Sequence, residues 1–109
     1  MQLNTGFFPF TVDLFISKTG IHDCIVWATV RNSDMSDTFF HAGKALHVEN
    51  QFVIRLKSKS DVSVIYHEVN HIVFYILDLL HIEITSYNSE VFCYISQYLV
   101  KQICNKSSS

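Results

Sequence analysis

Residues 67–71 read His-Glu-Val-Asn-His, inside a stretch whose apolar residues return every three or four positions. Val62, Ile65, Val69, Ile72, Val73, Ile76, Leu77 and Leu80 carry that period, which predicts a helix through the motif. No other feature constrains this chain as much. On a helix, positions i and i+4 lie one above the other on the same face. His67 and His71 can then both reach one metal ion. Glu68, next to the first histidine, can reach a water on that ion and act as its general base. Six histidines make an accidental match worth counting, at odds of roughly 1 in 100. The helical context lifts the motif above chance. Ser60-Asp61 supplies a small polar cap and a carboxylate at the positive end of the dipole.

Zinc suits nitrogen and carboxylate ligands, and a catalytic zinc keeps three protein ligands. After a link over 81–87 a second helical stretch is predicted, with Asn88 or Ser86 in capping position and Phe92, Ile95, Leu99 and Ile103 as its apolar stripe. Glu90 sits in its first turn, off the stripe, with 18 residues between it and His71. An antiparallel return would bring Glu90 beside His71. The competing reading is a first-turn glutamate that only favours the helix dipole. Asp78 is a poorer ligand candidate, because it lies about 10 Å along the axis from His71 at about 1.5 Å per residue. Tyr94, one turn after Glu90, is a candidate to hold Glu90 or to donate to an oxyanion. Its alternative is a packed aromatic.

His67-Glu68-x-x-His71 followed by Glu90 on the next helix resembles the gluzincin class of zinc metallopeptidases, in particular its minimal members. More narrowly, Tyr66 to His71, Ile76-Leu77-Asp78 with Ile82, and Ser89-Glu90 leading to Tyr94 and Tyr98-Leu99 are similar to small phage-encoded metallopeptidases. Residues 60–101 carry the resemblance, and it extends over 40–56, where Ala42-Gly43 precedes a pair of strands. It implies a peptidase with zinc on His67, His71 and Glu90 and with Glu68 as base. It also implies that an edge strand, best matched by Ala42–Val48, holds an extended peptide by strand addition. Two departures stand out. A glycine often follows the first helix in such proteins, and His81 occupies that region here. Larger gluzincins carry a downstream domain with a catalytic His or Tyr, which leaves the oxyanion-stabilising residue of this chain open.

At 109 residues, 49 % of them apolar, the chain is read as one domain over 1–106 with a frayed tail at 107–109. A net charge of −2 argues against a general nucleic-acid partner. Arg55, Lys57 and Lys59 alternate and read as a solvated face. Three cysteines without C-x-x-C spacing argue against a disulfide framework and for a reducing cytoplasm, host cytoplasm for a phage protein. Cys93 and Cys104 read as small core residues. No run reaches the ~18 apolar residues of a membrane helix. His22, His41, His47 and His81 read as surface or satisfied core residues. Two other classes compete with the peptidase. One is a zinc-stabilised interaction module of phage or bacterial origin. The other is a binding protein without metal.

Phe8, Phe10, Val12, Leu14 and Ile16 alternate as in a half-buried strand that ends at Thr19-Gly20. A helix is expected over Ile21–Arg31 and a polar loop over 32–38. Two strands, 39–48 and 52–56, are expected to meet at Glu49-Asn50. Gly43 marks a bulge or the close approach of another backbone. The expected fold is α+β and zincin-like: a short mixed sheet packed on the His-Glu-x-x-His helix, followed by a glutamate-bearing C-terminal helix.

Overall fold

The computed structural model of the chain describes residues 2–6, 8–34, 42–58 and 61–106. Four strands form one mixed sheet: β1 (Gln2–Thr5), β2 (Phe8–Ile16), β3 (Gly43–Val48) and β4 (Gln51–Leu56), in the order β1-β2-β4-β3. β2 and β4 run parallel, and the outer pairs are antiparallel. The helices are α1 (Ser17–Val30), α2 (Val62–Leu79) and α3 (Ser89–Lys106). The class is therefore α+β, with the His-Glu-x-x-His segment on α2. Among the described residues, no helix is long and apolar enough to cross a membrane.

The sheet separates two cores. Phe52, Ile54 and Leu56 of β4 join Val12 and Leu14 of β2 beneath α2 and α3, where Ile65, Val69, Ile72, Val73, Ile76, Ile95, Leu99 and Ile103 are buried. Both helical stripes read from the sequence thus face this layer. On the other face, Cys24, Trp27 and Ala28 of α1 cover Val53. Trp27 Nε1 donates to Asp13 at 2.6 Å, and Arg31 lies over the indole at 4.0 Å.

Several expectations are revised. β1 was not anticipated; it pairs with β2 through a turn at Gly6, whose φ of 76° suits a residue without Cβ. The first helix begins at Ser17, so Thr19 and Gly20 lie within α1 rather than ending the strand. Arg55 is buried, not part of a solvated face, because β4 is interior and covered on both sides. Cys93 and Cys104 are exposed; only Cys24 among the three is a core thiol. Asp61 is the N-cap of α2, accepting from the Ser63 and Val64 amides. The Ser63 hydroxyl and these amides hold its carboxyl below the ordinary range. Asn88 precedes α3, but its side chain closes the preceding loop, accepting from Thr85 N and donating to Glu83 O. Ser60, Lys59, His41, the start of the strand expected from 39, residues 35–38 of the loop and the tail 107–109 lie outside the described residues.

His81 ends α2 with φ 56°. The amides of His81 and Ile82 reach back to the carbonyls of Asp78 and Leu77 at 3.1 and 2.9 Å. This is the Schellman arrangement, whose left-handed residue is usually glycine because a Cβ is strained there. The glycine missing from the sequence is thus missing at the position whose backbone requires it. His81→Gly is expected to stabilise the fold by about 1 kcal/mol, read as a rise of several degrees in Tm. A lowered Tm would contradict this account of the helix end.

Candidate metal centre

The buried stripe of α2 fixes the rotation of that helix. With Ile65, Val69, Ile72 and Ile76 pointing inward, His67 and His71 emerge at the surface, and Glu68 turns toward β3. The Nε2 atoms of the two histidines lie 3.2 Å apart, with the rings at 82° to one another. Glu68 is only 6 % exposed. Its carboxylate and the two ring nitrogens lie within 4.8 Å of one another, a group that could hold a metal ion.

β3 makes room for Glu68 by lacking a side chain. A Cβ on Gly43 would stand 2.9 Å from Glu68 Cγ and Oε2 and 2.7 Å from Val64 Cγ1. The close approach expected at Gly43 is therefore that of α2 side chains, and it fixes where the carboxylate sits. β3 is an edge strand, as expected for Ala42–Val48. Two clefts flank the group along this edge. One, of about 420 Å³, is lined by Ala42, Gly43, Ser63, Val64, His67 and Glu68. The other, of about 330 Å³, adds Lys44, Ala45, His71 and Tyr75 to the shared Gly43, His67 and Glu68.

The other residues singled out in the sequence lie elsewhere. Asn70 accepts from Ser96 Oγ at 3.2 Å, and the Phe74 and Phe92 rings lie 5.0 Å apart. Both contacts give one antiparallel register, in which His71 is level with Ile95. Glu90 is five residues further on, about 7.5 Å along the axis. It is exposed and outside the group formed by His67, Glu68 and His71. Tyr94 lies against Gly6, its hydroxyl 3.1 Å from where a Cβ would stand, and its ring stacks with Tyr98. Gly6 adjoins β1, three strand spacings or about 14 Å from β3. The structure does not bring Tyr94 to the histidine pair. Asp78 lines a separate depression with His81, Ile82 and Glu83.

Two residues near the site were not singled out from sequence. Tyr75 follows His71 by one turn and lines the second cleft; its tyrosine-one-turn-on spacing was the available signal. Arg55 is 1 % exposed. Burial pushes its guanidinium down, while interaction with Cys24 and Glu68 pulls it back up. Burial likewise raises the Cys24 thiol to about 11, partly offset by Arg55. The signal for Arg55 was one cation inside the apolar run 52–56, which marks a strand covered on both faces. Comparison with known proteins finds no match for this chain among protein-family models, curated proteins or solved structures.

Proposed function

We propose that this chain is a small zinc-dependent peptidase of the gluzincin type. The observation that carries the reading is the 3.2 Å separation of His67 and His71 Nε2 beside a nearly buried glutamate. Two nitrogens each about 2.0–2.1 Å from one tetrahedral zinc lie about 3.3–3.4 Å apart, so the pair fits that ion. A hydrogen bond between the rings would give a similar distance but would not require Glu68 there. When bound, zinc polarises a carbonyl and lowers the pKa of a coordinated water toward ~7. Glu68, seated on Gly43, takes the proton of the attacking water and passes it to the leaving nitrogen. The β3 edge offers its backbone to an extended peptide running past the two clefts.

Glu90 is the proposed third ligand, and the α3 register makes it the weakest member of the set. Zinc analysis of untagged protein is expected to give about one equivalent. Glu90→Ala is expected to lower zinc affinity at least 10-fold, as removal of a group supporting a zinc site typically does, while Asp78→Ala changes it little. Wild-type protein that cannot be loaded with zinc would overturn the peptidase reading. Zinc affinity untouched by Glu90→Ala would remove Glu90 from the site. The placement of Glu90 and Tyr94 away from the pair favours one second reading, a zinc-stabilised interaction module without turnover. Glu68→Gln separates the two: retained zinc with lost cleavage marks a base, whereas lost zinc marks Glu68 as a ligand of a structural site.

A further inference from the structure

We propose that Tyr75 and His47 form an aromatic brace that orients the His71 ring for the metal. This inference rests on the reading that His67 and His71 hold an ion. Both histidines are exposed on one helix face. An exposed imidazole swings about two side-chain torsions, so a ligand pair of this kind needs support beyond its own helix turn. Metal-bound histidines usually receive it from an acceptor on the second ring nitrogen. Among the described residues, no hydrogen bond other than that with His67 holds the His71 ring.

An aromatic contact takes the place of such an acceptor. Tyr75 lies one turn along α2, half-buried, its ring 20° from parallel to His71 with centroids 6.3 Å apart. Tyr75 is itself pinned from the sheet: the His47 ring of β3 lies 4.3 Å from it, tilted by 35°. His47 in turn stacks at 6.2 Å on Phe52, a fully buried residue of β4. A chain of rings therefore runs from the core through Phe52, His47 and Tyr75 to His71. Centroid separations of 4.5–7 Å are those of interacting aromatic pairs; the Phe52–His47 and Tyr75–His71 pairs fall in this range, and His47–Tyr75 is slightly closer. His67, at the other end of the ligand pair, has no such neighbour beyond His71 among the described residues. The brace therefore acts on one ligand. Tyr75 and His47 are positioning residues in this scheme, acting through His71.

The test is metal affinity and the visible spectrum of the cobalt-loaded protein, measured on wild type, Tyr75→Ala, Tyr75→Phe, His47→Ala and the Tyr75→Ala/His47→Ala double variant. Tyr75→Ala is expected to weaken zinc binding about 10-fold, the low end for a supporting group, and to broaden the cobalt bands as His71 gains freedom. Tyr75→Phe is expected to restore both, since the ring and not the hydroxyl does the bracing. His47→Ala is expected to weaken binding less, and the double variant no more than Tyr75→Ala, because His47 acts through Tyr75. Equal affinity and spectra for wild type and Tyr75→Ala would overturn the brace, as would a Tyr75→Phe variant as weak as Tyr75→Ala. Additive losses in the double variant would remove His47 from it. Failure of wild type to bind zinc or cobalt would instead strike the metal reading beneath it.

Discussion

Glu68→Gln is expected to keep the fold and the zinc and to lose about 10²–10⁴-fold of any peptide cleavage, the usual consequence of removing a general base. Glutamine preserves the shape that fits against Gly43, and His67 and His71 are untouched. The amide cannot accept the proton of the attacking water. The measurement is digestion of a broad peptide library by zinc-loaded protein, with a chelated control. Cleavage that chelation abolishes, zinc restores and Glu68→Gln lacks supports the peptidase. Equal cleavage by both proteins means that the activity is a contaminant or does not use Glu68. Zinc lost on Glu68→Gln would make the glutamate a ligand.

Gly43→Ala carries the second large effect, from the strand side of the site. The added methyl would stand 2.7 Å from Val64 Cγ1 and 2.9 Å from Glu68 Oε2, so either α2 withdraws or the carboxylate leaves its seat. Overpacking of this kind costs about 1–3 kcal/mol of stability. A base displaced by about 1 Å loses on the order of 10²-fold in rate. The histidine pair does not touch Gly43 in this way, so zinc affinity is expected to stay within about 3-fold of wild type, below the loss typical of even a supporting group. Cleavage at the wild-type rate in folded Gly43→Ala protein would show that Glu68 works from a different position.

The sequence made the helices and the histidine pair legible because each is local. Seven apolar positions of α2 sit at helical spacing, and six of them, Ile65, Val69, Ile72, Val73, Ile76 and Leu77, are buried as expected, with Glu68 beside them. Ile95, Leu99 and Ile103 behave likewise on α3. The β3–β4 hairpin was readable from Glu49-Asn50, which joins the two strands with Glu49 at φ 56°. What was not legible depends on pairing between distant elements. Four residues of β1 carry too short an alternation to announce a strand, and Gln102, 98 positions away, holds Asn4 through both its backbone N–H and its C=O. Arg55 was misread because alternation of charge says nothing about whether a strand is central. The offset of Glu90 arises from the α2–α3 register, which the Asn70–Ser96 and Phe74–Phe92 contacts set. No spacing in the sequence encodes it.

His67 and His71 face each other within one turn of one helix, whereas Glu68 meets its seat on a strand 25 positions earlier in the chain. On the peptidase reading, a first hold on the metal and competence are for that reason separable. Any species in which α2 has formed presents the nitrogen pair, including partly ordered ones during folding or after local opening. With Glu90 of α3 and His47 of β3 not yet in place, such species would bind the proposed ion more weakly than the native chain, and the ion would add to the free energy of unfolding by that difference alone. Glu68, the proposed base, is by contrast in place only once β3 has docked. On the peptidase reading, a preparation that holds some metal would therefore not by that token be correctly folded, and the docking of β3 on α2 would decide whether a loaded chain is also a finished one.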